Sequence, residues 1–437
     1  MYKLAPLKVY MLDRVQDDPQ CLKRMERMLE AIGYNIGDVI CIDRSNLSEI
    51  VTEIKGLWPP DTVPEDMPVS YTKPLVFTRM DLSEKKQDLN SIHNECPEGT
   101  PMSYIKNIFG HINPIINWHP HELDQKLNQV CWPTYNFGTM QGCPHGCLYC
   151  GDGSGGKFIT ITLNLEEYKE KVIGPTIEKY PWNKCFRMIG WGADLIPFEP
   201  EYGLFNLFTH KLAQYDNRYG HFHTASTNVE WIADLPHRDR LLGVWSTTCE
   251  SVSQNIEQGA GKAIERFEAG RKCEDMGIPS RYKFKPMIPV SNWREEYSSI
   301  IQRGLKISKP ESIGFCVLMW MDIDTLLKRI DKKLLDPAYI EAAKEASEDL
   351  KGVKIGPFPH KVRAEIYRFL IKEVRCWDKD TLLYISTESR EMWDELKGEL
   401  GQDPRTYVCG CSSVAVPGKK VFLSPGMKYS TYCPEPV

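Results

Sequence analysis

Between residues 133 and 320, short apolar runs rich in β-branched and aromatic residues alternate with longer amphipathic segments. TYNFGTM (134–140) precedes LEEYKEKVIGPTIEKY (165–180), and KCFRMIG (184–190) precedes EYGLFNLFTHKLAQY (201–215). HFHTAS (221–226) precedes VEWIADL (229–235), and LLGVWST (241–247) precedes GKAIERFEAGRKCEDMG (261–277). RYKFKPMIP (281–289) precedes WREEYSSIIQRGLKI (293–307), and SIGFCVLMW (312–320) is the sixth strand-like run. Strand and helix signals in alternation, with short connections, predict parallel strands joined by right-handed crossovers. Six units are too few for a closed eight-fold barrel. The pattern therefore predicts an α/β fold built on a partial (β/α)6 TIM-type barrel or an open sheet. In such folds the site lies at the C-terminal ends of the strands.

The flanking patterns differ. LKVYML (7–12), VICID (39–43) and PLVFTRM (74–80) read as strands, and PQCLKRMERMLEAI (19–32) reads as a helix stopped by Gly33. WPPDTVPEDMP (58–68) is a loop, and residues 84–130 carry no clear period. Beyond 330 the chain becomes charged and helical, with PHKVRAEIYRFLIKEVRCW (359–377) amphipathic and LLYISTESREMWDELKGEL (382–400) a strand followed by a helix. The expected organisation is an N-terminal α/β segment and linker over 1–130, the partial barrel over 131–330, and a C-terminal extension over 331–437 with a cysteine-containing tail.

Composition narrows the function classes. The chain has 437 residues, 42% of them hydrophobic and 26% charged, which is ordinary for a globular protein. No apolar run of 18 residues occurs and the N-terminus lacks a signal-peptide core, so a cytoplasmic location is expected. The net charge is -5, so binding to nucleic acid would need a local basic face. Fifteen cysteines is a high and odd count for such a chain, and points to a metal or cluster rather than a disulfide scaffold.

The chemistry concentrates in QGCPHGCLYC (141–150), directly after the first strand of the alternating series. Cys143, Cys147 and Cys150 form C-x3-C-x2-C, with Tyr149 before the last cysteine. Three thiolates on one tight loop can hold three irons of a [4Fe–4S] cluster and leave the fourth iron open as a reaction site. The competing ligand is zinc, for which His145 inside the loop would have to serve as the fourth donor.

This triplet resembles the signature of radical S-adenosylmethionine (radical SAM) enzymes. More extended similarity is to the spore photoproduct lyase family, which repairs a thymine dimer in DNA. It is carried by PLKVYMLDRVQDDPQ at the start, GWGADLIPFEP (190–200), WSTTCESVSQNIEQGAGKAIERFEAG (245–270), PMIPVSNWREEY (286–297) and YISTESREMW (384–393), in the same order and spacing. The resemblance implies a cluster on Cys143, Cys147 and Cys150 that cleaves S-adenosylmethionine to a 5′-deoxyadenosyl radical. It places Gly190, Trp191 and Gly192 beside the cofactor amine and Ser226 at its carboxylate. Ser246 and Thr248 fall near the ribose or carboxylate, and Arg266 follows by the same alignment. Ser246 could instead satisfy a strand end. Arg266, between Glu265 and Glu268, could be a solvated charge.

Two departures bear on the reaction. The family has a hydrogen-donating cysteine where this chain has Trp191, and a relay tyrosine where it has Gly151, the start of GDGSGG (151–156). The expected chemistry is therefore modification or rearrangement of a thymine-type base in DNA, rather than photodimer repair. The alternatives are modification of a peptide or small molecule, and photoproduct repair itself; the class, lyase, isomerase or transferase, stays open. A reductase or flavodoxin would supply the electron. Cys409, Cys411 and Cys433 could hold a second Fe–S cluster or zinc, or one of them could return a hydrogen atom to the substrate. His119 and His121 read as a loop pair. A DNA face could use Lys361, Arg363, Arg368, Lys372, Arg375 and Lys379, with Lys419, Lys420 and Lys428. Trp191, Trp293, Trp320 and Trp377 are stacking candidates.

Overall fold

The computed structural model describes residues 4–63, 65, 67–84, 87–118, 129–151, 156–190, 192–353 and 355–423. Its strands run in chain order as β1 (Val9–Leu12), β2 (Ile40–Ile42), β3 (Leu75–Thr78), β4 (Ile115–Trp118), β5 (Thr134–Phe137), β6 (Met140–Gln141), β7 (Ile159–Thr162), β8 (Cys185–Met188), β9 (Tyr219–Thr224), β10 (Leu241–Thr247), β11 (Ser280–Met287), β12 (Ser312–Val317), β13 (Leu382–Ile385), β14 (Ala415–Val416) and β15 (Lys420–Val421).

The large sheet has the order β13-β12-β11-β10-β9-β8-β5-β4. All its pairings are parallel except β4 with β5. Helices Leu204–Leu212, Ala263–Asp275, Trp293–Ile307 and His360–Trp377 fall between successive strands. This is an open, partial (β/α) barrel. It has one more parallel strand than the six-unit pattern predicts, because LLYI beyond residue 330 pairs with β12.

A five-stranded sheet, order β2-β1-β3-β7-β6, forms the N-terminal part. TYNFGTM does not make one strand. It breaks at Gly138, with β5 in the large sheet and β6 in the small one. The cysteine loop follows β6, and β7 returns to the small sheet, so the loop is suspended where the two sheets meet. FITIT (158–162), which supplies β7, has the β-branched composition of a strand and lies outside the six predicted units.

Alternation along the barrel strands sorts the side chains. On the outer face Phe137 stacks with Phe186, and Phe222, Trp245 and Tyr282 are in ring contact in turn, with Phe222–Trp245 centroids 5.3 Å apart and Tyr282 stacked on helix residue Phe267 at 4.3 Å. The intervening positions, Asn136, Arg187, His221, His223, Ser246, Arg281, Lys283 and Lys285, fall on the opposite, inner face. The lumen is thus polar and cationic.

The segment 407–416 closes the N-terminal end of the lumen. Arg281 donates to the carbonyls of Cys409 (3.3 Å), Ala415 (3.1 Å) and Val416 (2.9 Å). Lys184 and Cys185 amides both donate to the Ser413 carbonyl. Tyr384 Oη accepts the Gly410 amide at 2.8 Å.

Candidate active site

The cysteine loop leaves β6 through Gly142, whose φ is +88° and where a Cβ would meet the Phe158 carbonyl at 2.7 Å. Gly146 (φ +62°) packs against Ser70, so the N-terminal part meets the loop closely at both glycines. The backbone of 257–261 lies against it: Gly259 N donates to His145 O at 2.9 Å, and Leu148 N donates to Ile256 O at 3.0 Å.

Two buried side-chain networks hold this arrangement. His145 places Nδ1 2.9 Å from Gly259 O and Nε2 2.7 Å from Asp194 Oδ2. Asp194 Oδ2 also accepts from Thr224 Oγ1 (2.6 Å) and Ala225 N (2.9 Å). Both imidazole nitrogens face acceptors, so neither offers a lone pair to a metal, and the zinc set drawn from the sequence loses its fourth donor. In the second network, Tyr149 Oη donates to Glu257, and Glu257 pairs with Arg266. Arg266 also donates to Gly261 O (2.8 Å) and Ser246 O (2.9 Å). With its side chain fully buried, Arg266 is not the solvated charge its glutamate neighbours suggested. It ties β10 and the helix Ala263–Asp275 to the cysteine loop.

Cys143, Cys147 and Cys150 are partly exposed and free of disulfides. Burial pushes the Cys143 thiol up to about 12 and raises Cys147 above its usual value, so ligation would have to deprotonate them. A positive charge faces them from the N-terminal part. Burial lowers the Lys73 ammonium while the thiols Cys143, Cys150 and Cys147 pull it back up. Lys73 Nζ lies 3.4 Å from Cys143 O and 4.6 Å from the Trp58 ring centroid. Sequence reasoning missed Lys73, Asp194 and Glu257, because each reaches the loop from far along the chain.

The residues that the resemblance implied for the cofactor lie at the C-terminal ends of β8, β9 and β10 or just beyond. Gly190 makes a close approach, since a Cβ there would meet Ala193 Cβ at 2.5 Å and Met140 O at 2.7 Å. Gly192 takes a φ of +57°, and Trp191 lies outside the described residues. Ser226 is buried and its Oγ accepts from Asn228 N at 3.1 Å. Ser246 Oγ is 3.0 Å from His223 Nε2 and stays partly exposed to the lumen. The Thr248 hydroxyl is buried and 3.1 Å from Tyr297 Oη, engaged with the helix Trp293–Ile307. Among the described residues nothing lies within 4 Å of a Cβ added at Gly151.

The remaining candidates scatter. Cys409 and Cys411 lie inside the barrel, with Lys283 Nζ donating to Cys411 Sγ at 2.8 Å. Cys433, His119, His121 and Lys428 lie outside the described residues. Among the described residues, no three His, Cys, Asp or Glu side chains converge closely enough to hold a single metal ion. The basic stripe on helix His360–Trp377 is largely neutralised. Arg363 is buried against Glu388 (Nε–Oε1 2.7 Å), Arg368 pairs with Glu395 and Glu399, and Arg375 caps carbonyls. Lys361, Lys372, Lys379, Lys419 and Lys420 remain exposed. Trp293 is core, whereas Trp320 and Trp377 are 46% and 44% exposed.

No protein-family model matches the sequence, and no curated protein matches it. Solved structures do. Spore photoproduct lyase in a variant with dinucleoside spore photoproduct superposes with a TM-score of 0.57 at 14% identity, over 87% of this chain and 98% of that one. A variant with bound AdoMet and dinucleoside spore photoproduct gives 0.56 at 13% identity, over 88% and 99%. The chain therefore has the spore photoproduct lyase fold, an open partial (β/α) barrel that carries the Cys143–Cys147–Cys150 loop on its C-terminal rim.

Proposed function

We propose that this chain is a radical S-adenosylmethionine enzyme. In this reading it holds a [4Fe–4S] cluster on Cys143, Cys147 and Cys150 and acts on a thymine-type base in DNA, modifying or rearranging it rather than repairing a photodimer. The observation that carries the proposal is the loop itself: three partly exposed thiols at the mouth of a partial barrel, clamped by two buried networks and faced by Lys73. The donor set suits a cluster, whose irons take cysteine sulfur. It suits zinc less well, because His145 is committed elsewhere.

The cluster and S-adenosylmethionine, when bound, supply one-electron cleavage of the sulfonium and hence a radical able to take a hydrogen atom from carbon. The chain's own residues do the rest. His145 with Asp194, and Tyr149 with Glu257 and Arg266, keep the loop in place while charge changes on it. Gly190 and Gly192 give the backbone room at the rim, Ser246 offers a hydroxyl at the end of β10, and buried Ser226 orders the turn after β9. A base from a duplex would have to be extruded to reach this mouth. The neighbour bound to AdoMet and a dinucleoside photoproduct supports the cofactor and the substrate class. Gly151 argues for a different outcome, since it carries no phenol to relay a radical.

The test is anaerobic reconstitution followed by dithionite and S-adenosylmethionine, with a reductase or flavodoxin as the physiological donor. We expect 5′-deoxyadenosine formation that rises with thymine-containing oligonucleotides and carries deuterium from labelled thymine. Formation indifferent to DNA would move the substrate to a peptide or small molecule, and rapid reversal of a photodimer would restore the repair reaction. Iron near four per chain, as one cluster requires, leaves the tail cysteines without metal, and near eight assigns them a second cluster.

A further inference from the structure

The lumen carries more positive charge than the cluster chemistry needs. Arg187 on β8 and Lys283 and Lys285 on β11 all fall on the inner face, with His223 on β9 between them. Lys283 donates to the Cys411 sulfur at 2.8 Å, and the thiols Cys411, Cys131 and Cys409 also attract Arg187. Among the described residues, Lys285 forms no ion pair with a carboxylate. Among those residues its ammonium meets Thr387 Oγ1 at 3.5 Å and the Trp320 ring at 4.6 Å. Burial and the neighbouring Lys283 lower it, against the pull of the Cys316 thiol. Crowding two ammonium groups in a half-buried lumen is costly unless an anion compensates them.

Three further observations point to a ligand. Asn136 is wholly buried, yet neither its amide oxygen nor its amide nitrogen has a hydrogen-bond partner among the described residues. Asn136 pairs with Arg187 across β5 and β8, so both face the lumen from adjacent strands. Buried orphaned amides are rare in native proteins and call for a partner such as a water, an ion or a ligand. Next, Trp320 stands at the barrel mouth, exposed, in a left-handed backbone conformation (φ +72°) that an aromatic residue rarely adopts. Its ring lies over the Lys285 ammonium. Finally, His223, Ser246 and Lys285 are all partly exposed, so the lumen is open to solvent at this level.

We propose that the substrate base bears an anionic substituent, of the carboxylate type, which enters the barrel and is received by Lys285 and Arg187 with Asn136 as hydrogen-bonding partner, while Trp320 covers the base at the mouth. This inference rests on the DNA-base reading above and narrows its substrate class. A phosphate of the DNA backbone shares the same charge chemistry, but it would have to reach the wall of the lumen rather than its rim.

The test measures binding, independent of turnover. Reconstituted protein is titrated with three single-stranded oligonucleotides of identical backbone, containing one thymine, one 5-hydroxymethyluracil or one 5-carboxyuracil. Quenching of Trp fluorescence gives the affinity. The 5-carboxyuracil strand should bind about ten-fold more tightly than the other two, as a charged hydrogen bond at a desolvated site provides. In Lys285→Gln the preference should fall to within about two-fold, with iron content and circular dichroism unchanged, and Asn136→Leu should reduce it by a separate route. Equal affinity for all three strands in the wild type overturns the proposal. So does a loss in Lys285→Gln that is the same for all three, which would assign the lysine to backbone phosphate. Failure of the cluster reading shows separately, as absence of 5′-deoxyadenosine on reduction with S-adenosylmethionine alone.

Discussion

Arg266 shows how much of this site depends on one side chain. Its guanidinium spends its donors on Glu257, Gly261 O and Ser246 O, and Glu257 in turn receives Tyr149 from the cysteine loop. Removing the cation leaves a buried carboxylate unpaired, which costs about 3–5 kcal/mol. Arg266→Met should therefore lose about that much stability in urea titration and retain less iron after reconstitution. Arg266→Lys keeps the charge but cannot fork to three acceptors, so it should recover only part of both. Unchanged stability and iron in Arg266→Met would show that the Tyr149–Glu257 contact does not hold the loop.

At the scale of elements, the segment 407–416 behaves as a plug in the barrel. Gly410 packs so tightly that a Cβ would meet Tyr384 Oη at 2.7 Å and Lys283 Cε at 3.1 Å. Gly410→Ala should cost about 1–3 kcal/mol, because the lumen is filled and the intruding methyl must displace side chains. Gly398, in the helix Arg390–Leu400, has nothing within 4 Å of the same added atom. Gly398→Ala should instead stabilise by about 0.5–1 kcal/mol through helix propensity. The paired urea midpoints check both signs, and equal shifts would deny the plug its tight fit. The seventh parallel strand belongs to this scale too. LLYI was legible as a strand, but its place beside β12 was not, since pairing depends on a helix of the intervening chain packing back on the sheet.

For the whole molecule, the polar lumen sets a pH dependence. Burial lowers His221 to about 3, with Arg187 adding to the shift and the Cys411 thiol opposing it. Burial, then Arg187 and Lys283, hold His223 well below its usual value. Both imidazoles are neutral in the folded chain. Below about pH 6.5 the unfolded chain takes up protons that the folded one refuses. Their neutral burial is therefore without penalty above that pH, and stability declines as the pH falls from about 6.5 towards 5, by up to about 1.4 kcal/mol per pH unit for each histidine. Urea midpoints at pH 7.5, 6.0 and 5.0 should show that decline, and His221→Gln should flatten part of it. A flat profile over this window would mean the lumen accepts the protons.

The local features are legible in the chain alone. Strand and helix periods, the alternating α/β order and the cysteine spacing are written in neighbouring residues, and short-range sterics and hydrogen bonding act on neighbours. RYKFKPM even carries its lumen in its pattern, with Arg281, Lys283 and Lys285 alternating against Tyr282 and Phe284. Only the tertiary structure decided which distant groups meet. Lys73 comes to the cysteine loop from the N-terminal sheet, Glu257 meets Tyr149 across 108 residues, and Cys411 crosses 128 residues to reach Lys283. Those meetings follow from how whole sheets pack, so no local pattern records them. Buried charges such as Arg266 and Arg363 looked like solvated ones for the same reason: a residue's sequence neighbours do not report its burial.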